Sequence, residues 1–249
     1  MKLTTIQASA VKSCFEVLSG ILNDVNIYFK PEGVFITTLD TARTSLIDLR
    51  LSAENFEEYE CEEPIVAGVN ISNTFKLLKS ITNNDILKLS INSKEFMNIE
   101  IVSENKKTKT KFELKLLDIN ENIYEVPEIP MTVTTSISSV DFQRICRDMN
   151  NIGTDIFIKR VGNTISLGCS GDFANQETSI ECIETVEKEL IGEYSLRYLN
   201  IFTKATSMCA MLQLMQEEEN RFLVLKYSIA NLGELRFYLA TKSTEWSVL

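Results

Sequence analysis

The stretch YSLRYLNIFTKATS at 194–207 carries cationic side chains at a spacing suited to binding a polyanion. Arg197 and Lys204 stand seven positions apart with Asn200 between them, which on a period of 3.6 residues gives one polar stripe along a helix. The opposing apolar stripe consists of Tyr198, Ile201, Phe202 and Ala205. A basic face on a single helix is commonly no more than a solvated surface. It needs an explanation here because the whole chain has a formal net charge of −10.

Three other segments share this pattern, with apolar residues on one helical face and Lys or Arg on the other. They cover 8–21, 71–82 and 138–152. Their basic residues are Lys12, Lys76, Lys79, Arg144 and Arg147. With the helix at 194–207, they divide the chain into near-equal quarters, which indicates internal repetition. Four such faces gathered on one side of a curved assembly would form a positive concave surface on an acidic protein, which suits an encircled polyanion.

The segments between the helices change to a period of two, which predicts β-strands. Alternation of apolar residues is clear at 47–51, 87–91, 112–116, 165–169 and 223–229. The sequence VGNT at 161–164 predicts a hairpin turn between two of these strands. The predicted fold class is therefore α+β, with helices on one face of antiparallel sheets.

The middle of the chain, LDINENIYEVPEIPMTV at 117–133, has no clean periodicity. Pro127 and Pro130 favour an extended conformation there. The segment also keeps apolar side chains, so part of it is expected to pack on the body of the protein. These side chains include Tyr124, Val126 and Met131. We therefore predict two similar domains, 1–117 and 134–249, joined by a linker at 118–133.

Catalytic signatures are missing from the sequence. The chain has no histidine, which excludes Ser–His–Asp and Cys–His sites, His-based zinc sites and a histidine general base. Neither common phosphate-binding glycine motif occurs, and the six cysteines include no Cys-x-x-Cys pair. No apolar run reaches the ~18 residues of a membrane span, and the N-terminus lacks a signal-peptide core. We expect an intracellular protein that is not an enzyme and that has no cofactor, no metal and no membrane partner.

Six stretches of the chain resemble one known family closely: the DNA sliding clamp, proliferating cell nuclear antigen. They are LDTARTSLIDLRL (39–51), GVNISNTFKLLK (68–79), LKLLDIN (114–120), FQRICRD (142–148), LRYLNIFTKAT (196–206) and LGELRFYLATK (232–242). The resemblance covers essentially the whole chain in register. It implies a clamp fold of two tandem-repeat domains, of which three subunits close a head-to-tail ring around duplex DNA. It also implies a clamp loader, and a non-catalytic role in tethering DNA polymerase and other replication and repair proteins through short peptides.

The same resemblance assigns residues to three surfaces. A sequence-independent DNA-binding surface would consist of Lys12, Lys76, Lys79, Arg144, Arg147, Arg197 and Lys204. A partner-peptide groove would be lined by Leu39, Arg43, Thr44, Leu46, Tyr124, Val126, Pro127, Met131, Phe222, Ala240 and Thr241. A subunit interface would pair a basic strand with an acidic one through Lys109, Lys111, Phe112, Leu114, Glu177 and Ile180.

Two departures from the family pattern bear on these assignments. The chain has ATK at 240–242 where the family usually has Ala-Pro-Lys, which leaves the C-terminal wall of the groove open to question. It has Gly162 and Asn163 at the turn where eukaryotic relatives carry a regulatory lysine, so regulation through that lysine is not assumed.

The sequence therefore predicts a homotrimeric processivity factor, located in the nucleus of a cell or at the site of viral DNA replication. The alternative is a subunit of a heterotrimeric checkpoint-type clamp, and a nucleic-acid enzyme of unrelated fold is a third reading. Self-assembly of the purified chain separates the first two, and lack of metal-dependent turnover would dispose of the third. Cellular and viral origins both stay open.

Overall fold

The structure is a computed structural model that describes residues 1–40, 42–103, 105, 107–120, 124, 126, 133–217, 219 and 221–242. It contains two compact units. The first comprises Met1–Thr38, Ile47–Glu125 and Ser228–Leu235, and the second comprises Leu39–Leu46, Val126–Tyr227 and Arg236–Leu249. Each unit is discontinuous in sequence, which the periodicities alone do not predict. Most of the linker predicted at 118–133 lies outside the described residues, so its bounds stay a prediction.

The first unit has two α-helices among its described residues, α1 (Ala8–Leu18) and α2 (Ile71–Leu78). Its strands are β1 (Lys2–Thr5), β2 (Asp24–Lys30), β3 (Gly33–Leu39), β4 (Ser45–Ser52), β5 (Glu58–Glu60), β6 (Ile65–Asn70), β7 (Asp85–Ile91), β8 (Phe96–Ser103) and β9 (Thr108–Lys115). A short 3-10 helix, Ala53–Asn55, follows β4. One sheet has the order β5-β1-β7-β8-β9, and the strands of the other follow the order β4-β3-β2-β6. Strand β9 is therefore an edge strand of the first sheet as described.

The second unit contains α3 (Ser139–Met149) and α4 (Leu196–Phe202), and α4 continues into a 3-10 helix at Thr203–Met208. Its strands are β10 (Val133–Ser138), β11 (Asp155–Ser170), β12 (Asn175–Ser195), β13 (Met211–Gln216), β14 (Phe222–Ile229) and β15 (Gly233–Ala240). Four of them follow the order β10-β13-β14-β15, whereas β11 and β12 pair antiparallel as a two-stranded sheet. The α+β architecture predicted from the alternating periodicities is confirmed.

The helices form because their apolar residues recur on one face, and a side chain also caps the N-terminus of α2 and of α3. In α3, Phe142, Ile145 and Met149 are at most 2% exposed. The Ser138 side chain accepts a hydrogen bond from the Asp141 amide at the start of α3, and Asn70 caps α2 in the same way. Each cap satisfies a backbone N–H that the first helical turn leaves without an acceptor.

The helix predicted over 194–207 is α-helical only across Leu196–Phe202. The following residues, Thr203–Met208, form a 3-10 helix, which has 3.0 residues per turn instead of 3.6. The buried apolar positions are Leu196, Leu199 and Phe202 in α4 and Ala205 in the 3-10 helix. The predicted apolar stripe is wrong at Tyr198 and Ile201, which are only half-buried, because α4 turns the face of Leu196, Leu199 and Phe202 to the core instead.

The hairpin turn predicted at 161–164 is also wrong. Strand β11 continues through these residues, and the chain reverses direction after Ser170 instead. The pairing with β12 shifts register on both sides of Gly162, whose φ of 54° lies in the left-handed region that glycine enters without a steric penalty. A glycine that suits a turn has produced a β-bulge inside a long strand.

A buried arginine holds this bulge together. Arg160 is 0% exposed and donates hydrogen bonds to the backbone carbonyls of Gly162, at 3.0 Å, and of Glu184. These two carbonyls lie on β11 and β12, so one guanidinium joins both strands where their register is irregular. No carboxylate forms a salt bridge with Arg160 within the described part of the chain.

We predict that Arg160→Lys lowers the free energy of unfolding by about 2 kcal/mol, because a single ammonium keeps the buried charge but cannot bridge both carbonyls. Urea denaturation at one fixed protein concentration measures the difference. The matched control is the reverse exchange at the neighbouring position, Lys159→Arg, whose side chain is 44% exposed and which we expect to change the same quantity by less than about 0.5 kcal/mol. Equal denaturation midpoints for Arg160→Lys and the parent would show that the bulge does not depend on the guanidinium.

Candidate nucleic-acid, subunit and peptide surfaces

Helices α1 and α2 of the first unit are neighbours and present three of the predicted DNA-binding lysines. Lys76 and Lys79 are exposed, whereas Lys12 is half-buried. The Lys12 Nζ donates to the Ile81 carbonyl at 2.7 Å, and the Lys76 Nζ donates to the Asn73 side chain at 3.1 Å. Lys12 therefore ties α1 to the turn after α2, and Lys76 and Lys79 are the more accessible of these three lysines to a phosphate group.

Helices α3 and α4 of the second unit are tied by side-chain hydrogen bonds to backbone carbonyls. The Gln143 amide donates to the Thr203 carbonyl at 2.8 Å, and the Asn200 amide donates to the Cys146 carbonyl at 3.3 Å. These bonds tie α3 to α4 and to the 3-10 helix that follows it, the elements that carry the other four predicted DNA-binding residues. All four are exposed: Arg144, Arg147, Arg197 and Lys204.

Aspartates on α3 partly neutralise its arginines. The Arg144 guanidinium lies 3.4 Å from Asp141 and 3.8 Å from Asp148, and the Arg147 Nε lies 3.9 Å from Asp148. Exposed ion pairs of this kind contribute roughly 0–1 kcal/mol, so a phosphate group can compete for either arginine. The sequence interpretation missed this pairing because it counted the cations on the helix face without the acids beside them.

The predicted subunit-interface residues lie on two open strand edges, the first of which is β9. Lys109 and Lys111 are exposed there, and Phe112 and Leu114 are half-buried. Glu100 on the paired strand β8 lies 2.8 Å from the Lys109 Nζ and 3.7 Å from that of Lys111. The hydrogen bond from Lys109, together with the charges of both lysines, lowers the pKa of the Glu100 carboxyl. Both lysines of this edge are therefore partly neutralised by the same acid.

The second open edge is the first part of β12. Residues 175–181 pair with β11 and with no other described strand. Glu177 is exposed, and Ile180 is half-buried. The two edges thus belong to different units and differ in character, since β9 is rich in lysine and 175–184 is rich in glutamate.

The loop between β3 and β4, which includes predicted groove residues, is organised by the buried carboxylate of Asp40. Its Oδ1 accepts the backbone N–H groups of Thr44 and Ser45, each at 2.7 Å, and its Oδ2 accepts that of Ala42 at 3.1 Å. Arg43 stands exposed in this loop with a φ of 53°, a left-handed conformation that costs a non-glycine residue roughly 1–2 kcal/mol. The hydrogen bonds to Asp40 offset this strain.

The segment predicted as the C-terminal wall of the groove is held by two backbone hydrogen bonds despite the departure at position 241. The Ala240 N–H donates to the Thr44 carbonyl at 3.4 Å, and the Thr241 N–H donates to the Arg221 carbonyl at 2.9 Å. Glu217 in turn holds the Arg221 guanidinium, with Nη2 and Oε2 3.1 Å apart. A proline at 241 has no N–H and could not form the bond to Arg221. The wall therefore depends on a hydrogen bond that the family pattern of Ala-Pro-Lys does not offer.

The predicted groove residues differ in how much side chain they offer to a ligand. Leu39, Thr44 and Val126 are half-buried and Arg43 is exposed. Four others are at most 7% exposed and support the surface from beneath: Leu46, Phe222, Ala240 and Thr241. Tyr124 is half-buried and belongs to the first unit, and Pro127 and Met131 lie outside the described residues. Asp40, Glu217 and Arg221 hold the segments that contain predicted groove residues, but the sequence analysis missed them, because no sequence pattern marks them as partners of those segments.

Comparison with protein families gives two adjacent matches. The model of the N-terminal domain of proliferating cell nuclear antigen matches residues 1–124, and the model of the C-terminal domain matches residues 125–242. A relative, the probable DNA polymerase sliding clamp 1 of Paramecium bursaria Chlorella virus 1, is 35% identical over 252 residues. That alignment covers 96% of this chain and 95% of the relative.

Two other kinds of site are absent from the described residues. They contain no group of three or more His, Cys, Asp or Glu side chains placed to hold a metal ion. None of the helices they form has the length and apolar composition that a membrane crossing requires.

Proposed function

This chain belongs to the proliferating cell nuclear antigen family of DNA sliding clamps, which are non-catalytic processivity factors for DNA polymerase, and we propose that three copies of it form a closed ring around duplex DNA. The observation that carries the proposal is the pair of unlike open strand edges on a chain whose helices present exposed cations. The printed name of the viral relative, a probable DNA polymerase sliding clamp, supports the same activity for this chain.

Ring closure would use the two open edges. A strand edge offers backbone N–H and C=O groups that can pair with another chain. Because β9 and 175–181 are different edges, their pairing joins subunits head to tail, and such an interface closes a ring when the rotation per subunit permits. Lysines on one edge and glutamates on the other favour pairing between unlike edges over pairing between like ones. Since one chain carries both edges, a homotrimer is favoured over the checkpoint-type heterotrimer.

We predict that light scattering of the purified protein at micromolar concentration gives three times the chain mass of 28.3 kDa. Ile180→Lys adds a charge to the half-buried row of the acidic edge, and we expect it to give monomers. The same substitution at Ile6, which is 57% exposed in the first unit, should leave the trimer intact. A stable monomer of the parent chain would contradict the homotrimer and favour the alternative clamp.

DNA would pass through the ring along the exposed cations of the four helices. Contacts from lysine and arginine to phosphate position a protein on the duplex without reading base sequence. Such contacts are individually weak and depend on salt, because each one releases condensed counterions from the DNA. This kind of contact suits a clamp, which has to stay on DNA of any sequence while moving along it.

We predict that replacing Lys76, Lys79, Arg147 and Lys204 with Glu weakens binding to a short duplex at least about ten-fold at low salt and flattens its salt dependence. Fluorescence anisotropy at two salt concentrations measures both effects. The control variant carries the same four charge reversals at exposed lysines outside the helices: Lys2, Lys30, Lys94 and Lys188. Equal weakening by the two variants would show that only net charge matters and that the helix faces do not bind DNA.

Partner proteins would dock through the groove formed by the β3–β4 loop, Val126 and the wall at Ala240 and Thr241. A short peptide could insert aliphatic and aromatic anchors there while its backbone pairs with the exposed chain. DNA polymerase and other replication and repair proteins are the proposed partners, and a clamp loader would place the ring on DNA. The proposed location is the site of DNA replication, in a nucleus or in a virus-infected cell.

We predict that Leu39→Ser combined with Val126→Ala weakens the binding of a synthetic peptide, with one aliphatic and two adjacent aromatic residues, by about 30-fold or more. Both side chains are half-buried, so their truncation should cost little stability, whereas Leu46 is too deeply buried to test the groove cleanly. Isothermal titration calorimetry measures the affinity. The control makes the same two changes at Leu117 and Val66, which are 40% and 55% exposed in the first unit. Unchanged affinity in the groove variant would place the peptide site elsewhere.

A further inference from the structure

The Tyr198 side chain connects helix α4 to the β3–β4 loop across 158 positions of sequence. Its hydroxyl donates a hydrogen bond to the Asp40 Oδ2 at 3.1 Å. The ring of Tyr198 packs beside that of Phe202, with centroids 6.1 Å apart, and the Arg197 guanidinium lies 5.9 Å from the same ring. The contacts of the ring therefore fix the position of the Tyr198 hydroxyl.

We propose that Tyr198 is a positioning residue for the peptide groove and that it acts through the Asp40 carboxylate. This inference rests on the proposed peptide-binding function. A carboxylate has about four acceptor sites, and in the described residues each Asp40 oxygen accepts two hydrogen bonds. Three of these come from the loop backbone and one from Tyr198. The tyrosine therefore supplies the bond that ties the Asp40 carboxylate to a helix.

The protonated state of Tyr198 suits this donor role. Burial raises the pKa of the Tyr198 hydroxyl above its ordinary value, and the negative charge of Asp40 adds to the increase although a hydrogen bond with Thr44 opposes it. A phenol with a raised pKa keeps its proton at neutral pH. The hydroxyl can therefore donate to the buried carboxylate throughout the physiological range.

The position of the Asp40 carboxylate affects the groove through Thr44. Asp40 holds the Thr44 N–H, and the Thr44 carbonyl accepts the N–H of Ala240 in the C-terminal wall. A carboxylate released from Tyr198 has only Ala42 left on Oδ2 in the described residues, so it can rotate and shift both bonds to Oδ1. Because the positive φ of Arg43 is strained, a loop released from Tyr198 can lower its energy by changing conformation.

The test is Tyr198→Phe, which removes the hydroxyl and keeps the ring that packs beside Phe202. With the synthetic peptide used above as the probe, we expect the dissociation constant to rise about five-fold, as the loss of one buried hydrogen bond implies. The trimer mass should not change. Amide hydrogen exchange at Thr44 and Ser45 should accelerate, whereas the amides of α4 should exchange as in the parent.

The matched control is Tyr59→Phe in the first unit. The Tyr59 hydroxyl oxygen lies 2.7 Å from the backbone carbonyl oxygens of both Lys30 and Gly33, and its single proton can be donated to either of them. Its removal deletes the hydroxyl of a tyrosine that is also half-buried and that belongs to the other unit. We expect Tyr59→Phe to leave the peptide dissociation constant unchanged.

A second background distinguishes positioning from general destabilisation. In Asp40→Asn, the acceptor on which Tyr198 acts is altered, so adding Tyr198→Phe should weaken peptide binding no further. A merely structural loss would add to that of Asp40→Asn, because independent effects are additive. Full additivity would overturn the inference.

The remaining outcomes separate this inference from the proposed function. If the parent binds the peptide and the Leu39→Ser/Val126→Ala variant does not, while Tyr198→Phe binds as tightly as the parent, the groove stands and the role of Tyr198 is overturned. If the parent binds no peptide, the groove itself is overturned, and the role of Tyr198 with it.

Discussion

Each helix must bury an apolar face against its own unit, and this constraint decides where the functional surfaces of the chain can lie. In α3, Phe142 and Met149 are fully buried, so Arg144 and Arg147 have only the solvent side available. The side-chain hydrogen bonds between α3 and the segment that begins with α4 then hold the cation-bearing helices in a fixed relative position. Burial thus orders the surface charges as firmly as it orders the core.

The sequence predicts what depends on local periodicity and misses what depends on distant partners. The alternation of Leu87, Leu89 and Ile91 is enough to identify β7, and the basic helices follow from their own spacing. The 3-10 helix after Phe202 and the bulge at Gly162 were not predicted. The apolar spacing at 194–207 does not distinguish an α-helix from a 3-10 helix, and a glycine in VGNT suits a bulge as well as a turn. No local pattern could link Asp40 to Tyr198, or Arg160 to the carbonyl of Glu184, since the fold alone brings these pairs together.

Acidic side chains lie beside several of the predicted DNA-binding cations, and the composition of the chain does not show this pairing. A net charge of −10 coexists with basic helix faces, but Asp141 and Asp148 already pair with the arginines of α3. In the proposed ring, a phosphate would exchange with an aspartate instead of meeting a free cation. Such an exchange changes the free energy by little in either direction, which keeps contacts with the duplex transient.

The bond from Thr241 to the Arg221 carbonyl has an evolutionary consequence. The acceptor lies beside a deeply buried segment, since Phe222 is 1% exposed and Thr241 is 5% exposed. A mutation of Thr241 to proline would leave that carbonyl without this donor, at a cost of about 1–3 kcal/mol if no other group took its place. The effect of a proline at position 241 thus depends on the residues around Arg221, which is epistasis between two contacting segments. A lineage could exchange threonine and proline at this site only after the strand opposite had acquired another donor.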